Sequence, residues 1–172
     1  KTFGAAVAME TFGDEEGTWP LMGKIYTWGD NYLGQLGTGD YASKSRPSII
    51  RTCCRQTLNS AGRVVCTKNI DQENITGIAT GSFHVLAWTS EGVLYSWGWN
   101  MFGQLGLGSV IMAPTIASPS INNILLSSGE LIVEAAGGYA HTLIVSSSGH
   151  LYSCGYNNKG QLGLNDQVTR RA

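Results

Sequence analysis

The sequence has little charge and no long apolar run. Charged residues make up 13% of its 172 residues and the formal net charge is -1. This argues against a chain that coats nucleic acid over its whole surface, because such binding needs many Lys and Arg contacts to phosphates. No stretch approaches the ~20 apolar residues of a membrane span, and residues 1–10 lack the pattern of a secretory signal. We therefore predict a soluble, cytoplasmic or nuclear chain that makes no contact with a membrane.

The cysteines form no C-x-x-C pair. Cys53 and Cys54 are adjacent, Cys66 follows at some distance, and Cys154 stands alone far downstream. This spacing indicates neither a zinc site nor a disulfide framework, so we expect reduced thiols. We predict neither a metal nor a cofactor.

The sequence is instead rich in glycine and contains one motif in three copies. Glycine occupies 23 positions, and the shared motif is G-x-[IL]-Y-[TS]-[WC]-G-x-N-x-x-G-Q-L-G. The copies are residues 23–37 (GKIYTWGDNYLGQLG), 92–106 (GVLYSWGWNMFGQLG) and 149–163 (GHLYSCGYNNKGQLG). They begin 69 and 57 residues apart, which is near the period of propeller blades.

A second element precedes two of the copies. Residues 79–86 (ATGSFHVL) and 136–143 (AGGYAHTL) place His84 and His141 eight residues before the first glycine of the following copy. Short β-prone runs bounded by glycine or serine surround both elements, which is typical of strands joined by tight turns. Each repeat therefore predicts about four antiparallel strands.

These residues resemble the regulator of chromosome condensation repeat, and the resemblance covers nearly the whole chain. Proteins of that family form seven-bladed β-propellers. The resemblance implies an all-β fold, a partial propeller of about three four-stranded blades. The chain is then a single propeller segment, 1–172, with repeats at about 1–47, 48–119 and 120–172. Since three copies do not close such a ring, we expect a fragment of a seven-bladed propeller, or self-association if the chain is complete.

The start of the chain departs from the motif. Residues 3–9 (FGAAVAM) look like a degenerate copy of the second element, with Val7 at the position where histidine is expected. The excess length before Gly23 is then an insertion around residues 12–19, which includes the acidic run Asp14 to Glu16.

Repeat-matched residues are predicted to be structural. A histidine that recurs in each blade is better explained by a repeated hydrogen bond than by catalysis, and no nucleophile recurs beside it. The glycines of GQLGLG, residues 103–108, lack the strand and helix of a phosphate loop and are expected to serve turns and close backbone approach. The predicted structural positions are Gly81, His84, Gly98, Gly103, Gly138, His141, Gly155 and Gly160.

Two features are not explained by the repeat. Residues 44–68 contain Lys and Arg but no acidic residue, and the longer first period has its excess at about 51–74. Such a basic loop would bind an acidic partner surface or phosphates, and the simpler alternative is a solvated, partly disordered insertion. Trp99 lies at a variable position near a loop and is expected to be exposed. The predicted partner-binding residues are Arg51, Arg55, Arg63, Lys68 and Trp99.

We predict a protein-protein interaction module and no enzyme. The resemblance implies a guanine-nucleotide exchange regulator of a small GTPase, a chromatin-bound regulator, or a targeting domain of a larger protein, and the fold does not choose among them. No exchange residue is recognised. The alternatives are nucleic-acid or chromatin binding through the basic insertion, and, less favoured, an enzyme that uses His84 or His141.

Overall fold

The computed structural model describes residues 3–10, 22–108, 113–121 and 129–171, with the backbone alone at residues 6–10 and 22. The acidic run at residues 14–16 and the insertion around it lie outside these ranges. Within the described ranges, no helix is long or apolar enough to cross a membrane.

The described residues confirm the all-β prediction, with a single 3-10 turn at Ile70–Gln72. The strands are β1 (Phe3–Glu10), β2 (Met22–Gly29), β3 (Lys44–Ile49), β4 (Cys53–Leu58), β5 (Val64–Asn69), β6 (Ile75–Thr80), β7 (His84–Thr89), β8 (Leu94–Trp99), β9 (Thr115–Ile121), β10 (Ile132–Gly137), β11 (His141–Ser146) and β12 (Leu151–Gly155).

The strands form three antiparallel blades and one extra hairpin. The first blade is β1-β2-β3, the second is β6-β7-β8-β9 and the third is β10-β11-β12. The first two blades belong to one sheet because β2 and β6 pair at a single position, Gly23 with Ile75. Only the second blade has the predicted four strands among the described residues. In the third, a bridge between Gly155 and Arg170 marks the position of a fourth strand.

Apolar residues pack between the blades because alternate side chains of a strand point to opposite faces. Val85 and Ala87 of β7 join a buried cluster with residues of the first blade such as Ile25. Leu86 lies between them in sequence and packs with Ile144 of the third blade. The second blade therefore has two buried faces, one packed in a cluster with the first blade and the other in a separate cluster with the third.

The polar residues of the motif hold the loops that follow β2, β8 and β12. In the first copy, Asn31 Oδ1 accepts the N–H of Leu36 at 2.9 Å, and Gln35 Oε1 accepts the N–H of Leu33. The same bonds recur at Asn100 and Gln104 and at Asn157 and Gln161. This explains the N-x-x-G-Q-L-G spacing, since each side chain replaces a backbone partner in the loop.

The strand register corrects the predicted alignment of the first copy. Phe3 pairs with Gly29 as His84 pairs with Gly98 and as His141 pairs with Gly155. The prediction that Val7 stands at the histidine position was wrong. Val7 pairs with Ile25, four residues from Gly29, and Phe3 occupies the histidine position instead.

Candidate functional site

The insertion at about 51–74 contains a hairpin, which contradicts the alternative of a partly disordered insertion. Strands β4 and β5 pair along their length, with Leu58 opposite Val64. The turn between them is held by Asn59, whose Oδ1 accepts the N–H groups of Ala61 and Arg63. β4 packs against β9, the outer strand of the second blade.

A disulfide between Cys53 and Cys66 crosslinks the hairpin, with an S–S distance of 2.05 Å. The prediction of four reduced thiols was therefore wrong. The two cysteines are 13 residues apart in sequence, but the hairpin brings their Cα atoms to 5.8 Å, within the usual range for a disulfide. Cys54 and Cys154 are free and buried, and burial raises the pKa of Cys154 to about 12.

The hairpin is anchored to the second blade by Glu73. Its carboxylate is 2% exposed and lies 2.6 Å from Arg55 Nε and 2.9 Å from Lys68 Nζ. The hydroxyl of Tyr95 donates to the same carboxylate at 2.7 Å. Burial alone would raise the pKa of Glu73, but hydrogen bonds from Tyr95, Lys68 and Arg55 outweigh it and hold that pKa below its usual value. Glu73 is therefore charged and paired.

The anchor changes how the basic residues are understood. Arg55 and Lys68 lie on Glu73, and Arg51 lies 3.5 Å from Asp71. The cations of the hairpin base thus have internal partners, and the arrangement gives no support to the alternative of phosphate binding. Asp71 and Glu73 were missed because they follow the basic segment, although their closeness in sequence was a visible signal.

Arg63 differs from the other three basic residues in its place, because it lies in the turn at the exposed tip of the hairpin and not at its base. The side chains beside it are apolar and open to solvent, with Leu58 68% and Val64 64% exposed. Directly opposite residues on a hairpin share one face, so Leu58 and Val64 form an exposed apolar pair. The hairpin therefore has a buried, ionic base and an apolar, cationic tip.

Replacing Glu73 by glutamine should loosen the hairpin. The change leaves Arg55 and Lys68 without their carboxylate, and because both are about a third exposed we expect a loss of about 1–2 kcal/mol rather than the larger cost of a fully buried pair. Faster hydrogen exchange at the amides of β4 and β5 would report it. Asp71→Asn is the matched control, because its partner Arg51 is 71% exposed. Equal exchange in both variants would show that Glu73 is no anchor.

His84 is fully buried and links the second blade to the third. Its Nε2 lies 3.0 Å from Thr142 Oγ1, and that hydroxyl donates to the Gln104 carbonyl at 2.7 Å. Since the hydroxyl proton is used on Gln104, Thr142 accepts from His84, whose Nε2 therefore carries a proton. Burial, and next the proximity of His141, lower the pKa of His84 to about 4.

The geometry gives the enzyme alternative no support. His84 has no exposed surface, so its imidazole cannot contact a substrate in solution. His141 is partly buried, and burial lowers its pKa. Each imidazole ring packs against a glycine of its own repeat, His84 against Gly81 and His141 against Gly138.

The remaining repeat glycines lie where a side chain would meet backbone. A Cβ on Gly98 would lie 2.5 Å from the Phe83 carbonyl oxygen, and Gly155 has the equivalent neighbour in Ala140. Gly103 approaches the backbone of Arg171. Gly160 is the exception, since among the described residues its nearest neighbour is at 3.8 Å.

Trp99 is half-buried and not exposed as expected, because it lies in a group of aromatic side chains that spans the second and third blades. Ring centroids of neighbouring members are 4.3 to 5.9 Å apart, mostly edge to face. We call this group the aromatic surface. Its members are Phe83, Trp99, Phe102, Tyr139 and Tyr156. Trp99 was singled out from the sequence, but the other four were missed because they lie in different turns.

Three consecutive antiparallel blades held by a repeated motif define a partial β-propeller built from sequence repeats. The chain belongs to the regulator of chromosome condensation (RCC1) repeat family, whose sequence profile matches residues 22–88 and 91–145. A second profile of the same repeat matches residues 75–104 and 132–161.

Similar proteins include the ultraviolet-B receptor UVR8 of Arabidopsis thaliana, 33% identical over 148 residues, which are 85% of this chain and 28% of that protein. Human protein RCC2 is 35% identical over 143 residues, 83% of this chain and 23% of that protein. The chain thus spans about a quarter of the length of these relatives.

Solved structures agree on the fold. Yeast RCC1 (Prp20), determined bound to Kap60, superposes with a TM-score of 0.57 at 26% identity over 79% of this chain and 27% of that one. Human WBSCR16 superposes with a TM-score of 0.64 over 87% of this chain and 32% of that one, and at 24% identity it supports the fold alone. The prediction of an all-β partial propeller is confirmed.

Proposed function

We propose that this chain is a protein-protein interaction module and that the tip of the β4–β5 hairpin is part of its binding surface. The observation that carries this proposal is the exposed apolar pair, Leu58 and Val64, on an element whose base is fixed. Apolar side chains this exposed are common singly, but as a pair at the tip of a hairpin they favour contact with another protein.

The anchoring of the hairpin supports the proposal. The Glu73 network holds the base of the hairpin on the second blade through Tyr95, and the disulfide joins the two strands of the hairpin to each other. An element that is already ordered loses less conformational entropy on binding than a loose loop does, so more of the contact energy appears as affinity. The arrangement therefore suits a binding element better than a spacer.

The chemistry of the tip indicates the kind of partner surface. Leu58 and Val64 would fill an apolar depression, and Arg63 beside them would face a carboxylate at its rim. A surface with an apolar centre and a charged rim is the common form of protein interfaces.

The relatives suggest two candidate partners. A structure of yeast Prp20, 27% identical with a TM-score of 0.52, is described with its binding to Gsp1p and to histones. We therefore propose a small GTPase as the first candidate partner, with a guanine-nucleotide exchange role, and a histone complex as the alternative. A targeting role within a larger protein and localisation to the cytoplasm or nucleus stay predictions.

Binding to purified candidate partners tests the proposal. The intact chain should bind either a GDP-loaded small GTPase of the Gsp1p type or a complex of purified core histones in biolayer interferometry. Changing both Leu58 and Val64 to aspartate should weaken that binding at least tenfold, about 1.4 kcal/mol or more. Val168→Asp is the control, because Val168 is also exposed, at 58%, but lies after the third blade. No binding to either partner, or binding unchanged in the double variant, would refute the proposal.

A further inference from the structure

We propose that the aromatic surface is a second, separate binding site, which takes a short acidic protein segment with one apolar anchoring side chain. The site does not use the hairpin, so it stands or falls independently of the function proposed above.

The repeat itself does not require these aromatic residues. Trp99 aligns with Asp30 in the first copy, and Phe102 aligns with Leu33 there and with Lys159 in the third copy. The loops of all three copies nevertheless have the same hydrogen bonds from their Asn and Gln side chains. The aromatic side chains are thus additions to a loop that folds without them.

The members of the aromatic surface contact one another and leave part of the surface open to solvent. Phe83 and Tyr139 both contact Trp99, at centroid distances of 5.8 Å. Tyr139 is 60% exposed, and the neighbouring Met101 is 51% exposed. Aromatic residues that brace one another in this way bring large contact area at little cost in side-chain entropy. Such a surface suits an apolar side chain of a partner.

Two cations lie near the aromatic surface, Arg171 by a direct contact and Lys159 by its place in the sequence. Lys159 follows Tyr156 closely in sequence and is exposed, and the guanidinium of Arg171 donates to the Met101 carbonyl at 3.2 Å. Neither has a carboxylate partner among the described residues, whereas Arg170 is paired with Asp166. Unpaired cations beside an apolar surface favour an anionic partner and raise its rate of association.

A protein segment fits this surface better than a nucleic acid. Base stacking needs open ring faces and a row of phosphate contacts. Here most ring pairs meet edge to face, so that Phe83, Trp99 and Tyr139 contact one another rather than presenting parallel faces. Two flanking cations also provide few phosphate contacts. An acidic segment needs only one apolar anchor and a few carboxylates.

Fluorescence anisotropy of labelled peptides on the intact chain tests the inference. The probe is a short peptide of Asp and Glu with one central Phe, compared with the same peptide centred on Ala, with a Lys-rich version and with oligothymidylate. We expect micromolar binding of the first probe, at least tenfold weaker binding of the Ala-centred and Lys-rich probes, and weaker binding at high salt.

Surface variants locate the site. Tyr139→Ser and Lys159→Glu should each weaken binding of the Phe-centred acidic probe at least fivefold. Tyr32→Ser is the control. Tyr32 is 65% exposed and lies in the loop of the first blade that matches the loop of Lys159 in the third, so its replacement should leave binding unchanged. The Leu58 and Val64 double variant should also bind this probe normally.

Three results would overturn the inference. They are failure of the Phe-centred acidic probe to bind at about 1 mM, equal binding of the Lys-rich probe, and binding that the Tyr139 and Lys159 variants leave unchanged. Preferential, Tyr139-dependent binding of oligothymidylate would replace it with single-strand recognition.

Discussion

Gly34→Ala is expected to lower the free energy of unfolding by about 3 kcal/mol, whereas Gly160→Ala is expected to lower it by only about 1–2 kcal/mol. The two glycines occupy the same position of the repeat. Both have a positive φ, +73° and +75°, which an alanine adopts at a cost of about 1–2 kcal/mol. The difference between them comes from the neighbouring blade.

Gly34 lies against the outer strand of the second blade. A Cβ at this position would lie 2.8 Å from Ala117 Cα and 3.1 Å from the Ile116 carbonyl oxygen. Both atoms belong to β9, which is held by its pairing with β8 and cannot move away freely. Overpacking of this kind costs about 1–3 kcal/mol. At Gly160 only the backbone term remains.

Urea denaturation followed by far-ultraviolet circular dichroism measures both variants. A larger shift of the urea midpoint for Gly34→Ala, with an unchanged dependence of the free energy on urea, would show that the first blade contacts β9 closely at Gly34. Equal shifts would mean that β9 yields to the added methyl group, and that the repeat glycine is required for its turn alone.

Acidification from pH 7 to pH 4 is expected to destabilise the protein through His84. Above about pH 6.5 the residue is neutral in both states and has no effect. Between pH 6.5 and 4 the unfolded chain binds a proton that the folded chain excludes, because burial lowers the folded pKa to about 4. The free energy of unfolding therefore falls by up to about 1.4 kcal/mol per pH unit, in total about 3 kcal/mol, and levels off below pH 4.

The slope of stability against pH identifies the residue. His84→Gln does not titrate and keeps a side-chain amide that can donate to Thr142, so the loss of stability between pH 7 and pH 5 should become clearly shallower. His141 has a pKa that burial also lowers, so some slope remains. Thr142→Val is the control, because it removes the acceptor but leaves both histidines. It should lower stability at every pH and keep the slope, and a full slope in His84→Gln would contradict the assignment.

Part of the fold could be predicted because it depends on residues close together in sequence. Asn31, Gln35 and Leu36 lie within one loop, and the bonds that recur in every copy join positions two and five residues apart. The same bonds therefore form in each copy of the motif. The prediction failed at the first copy, where Phe3 replaces histidine and only strand pairing defines the register.

The candidate sites could be predicted less well. Arg63 and Trp99 were singled out by departing from the repeat, which is a visible signal. The partners of the other residues were not visible, since Arg55 and Tyr95, 40 residues apart, meet only after the hairpin packs on the second blade. The same packing converted a basic segment into a paired, crosslinked element.

The sequence by itself determined the repeat, the blade, the family and the residues that stabilise each loop, because these rest on local hydrogen bonds and glycine turns. The tertiary structure decided which cysteines pair, which charges are neutralised by Glu73 and which aromatic residues gather around Trp99. Those outcomes depend on distances between blades and strands that a linear pattern does not contain. The two proposed binding surfaces, the hairpin tip and the aromatic surface, are among the parts that remain open to solvent after that packing.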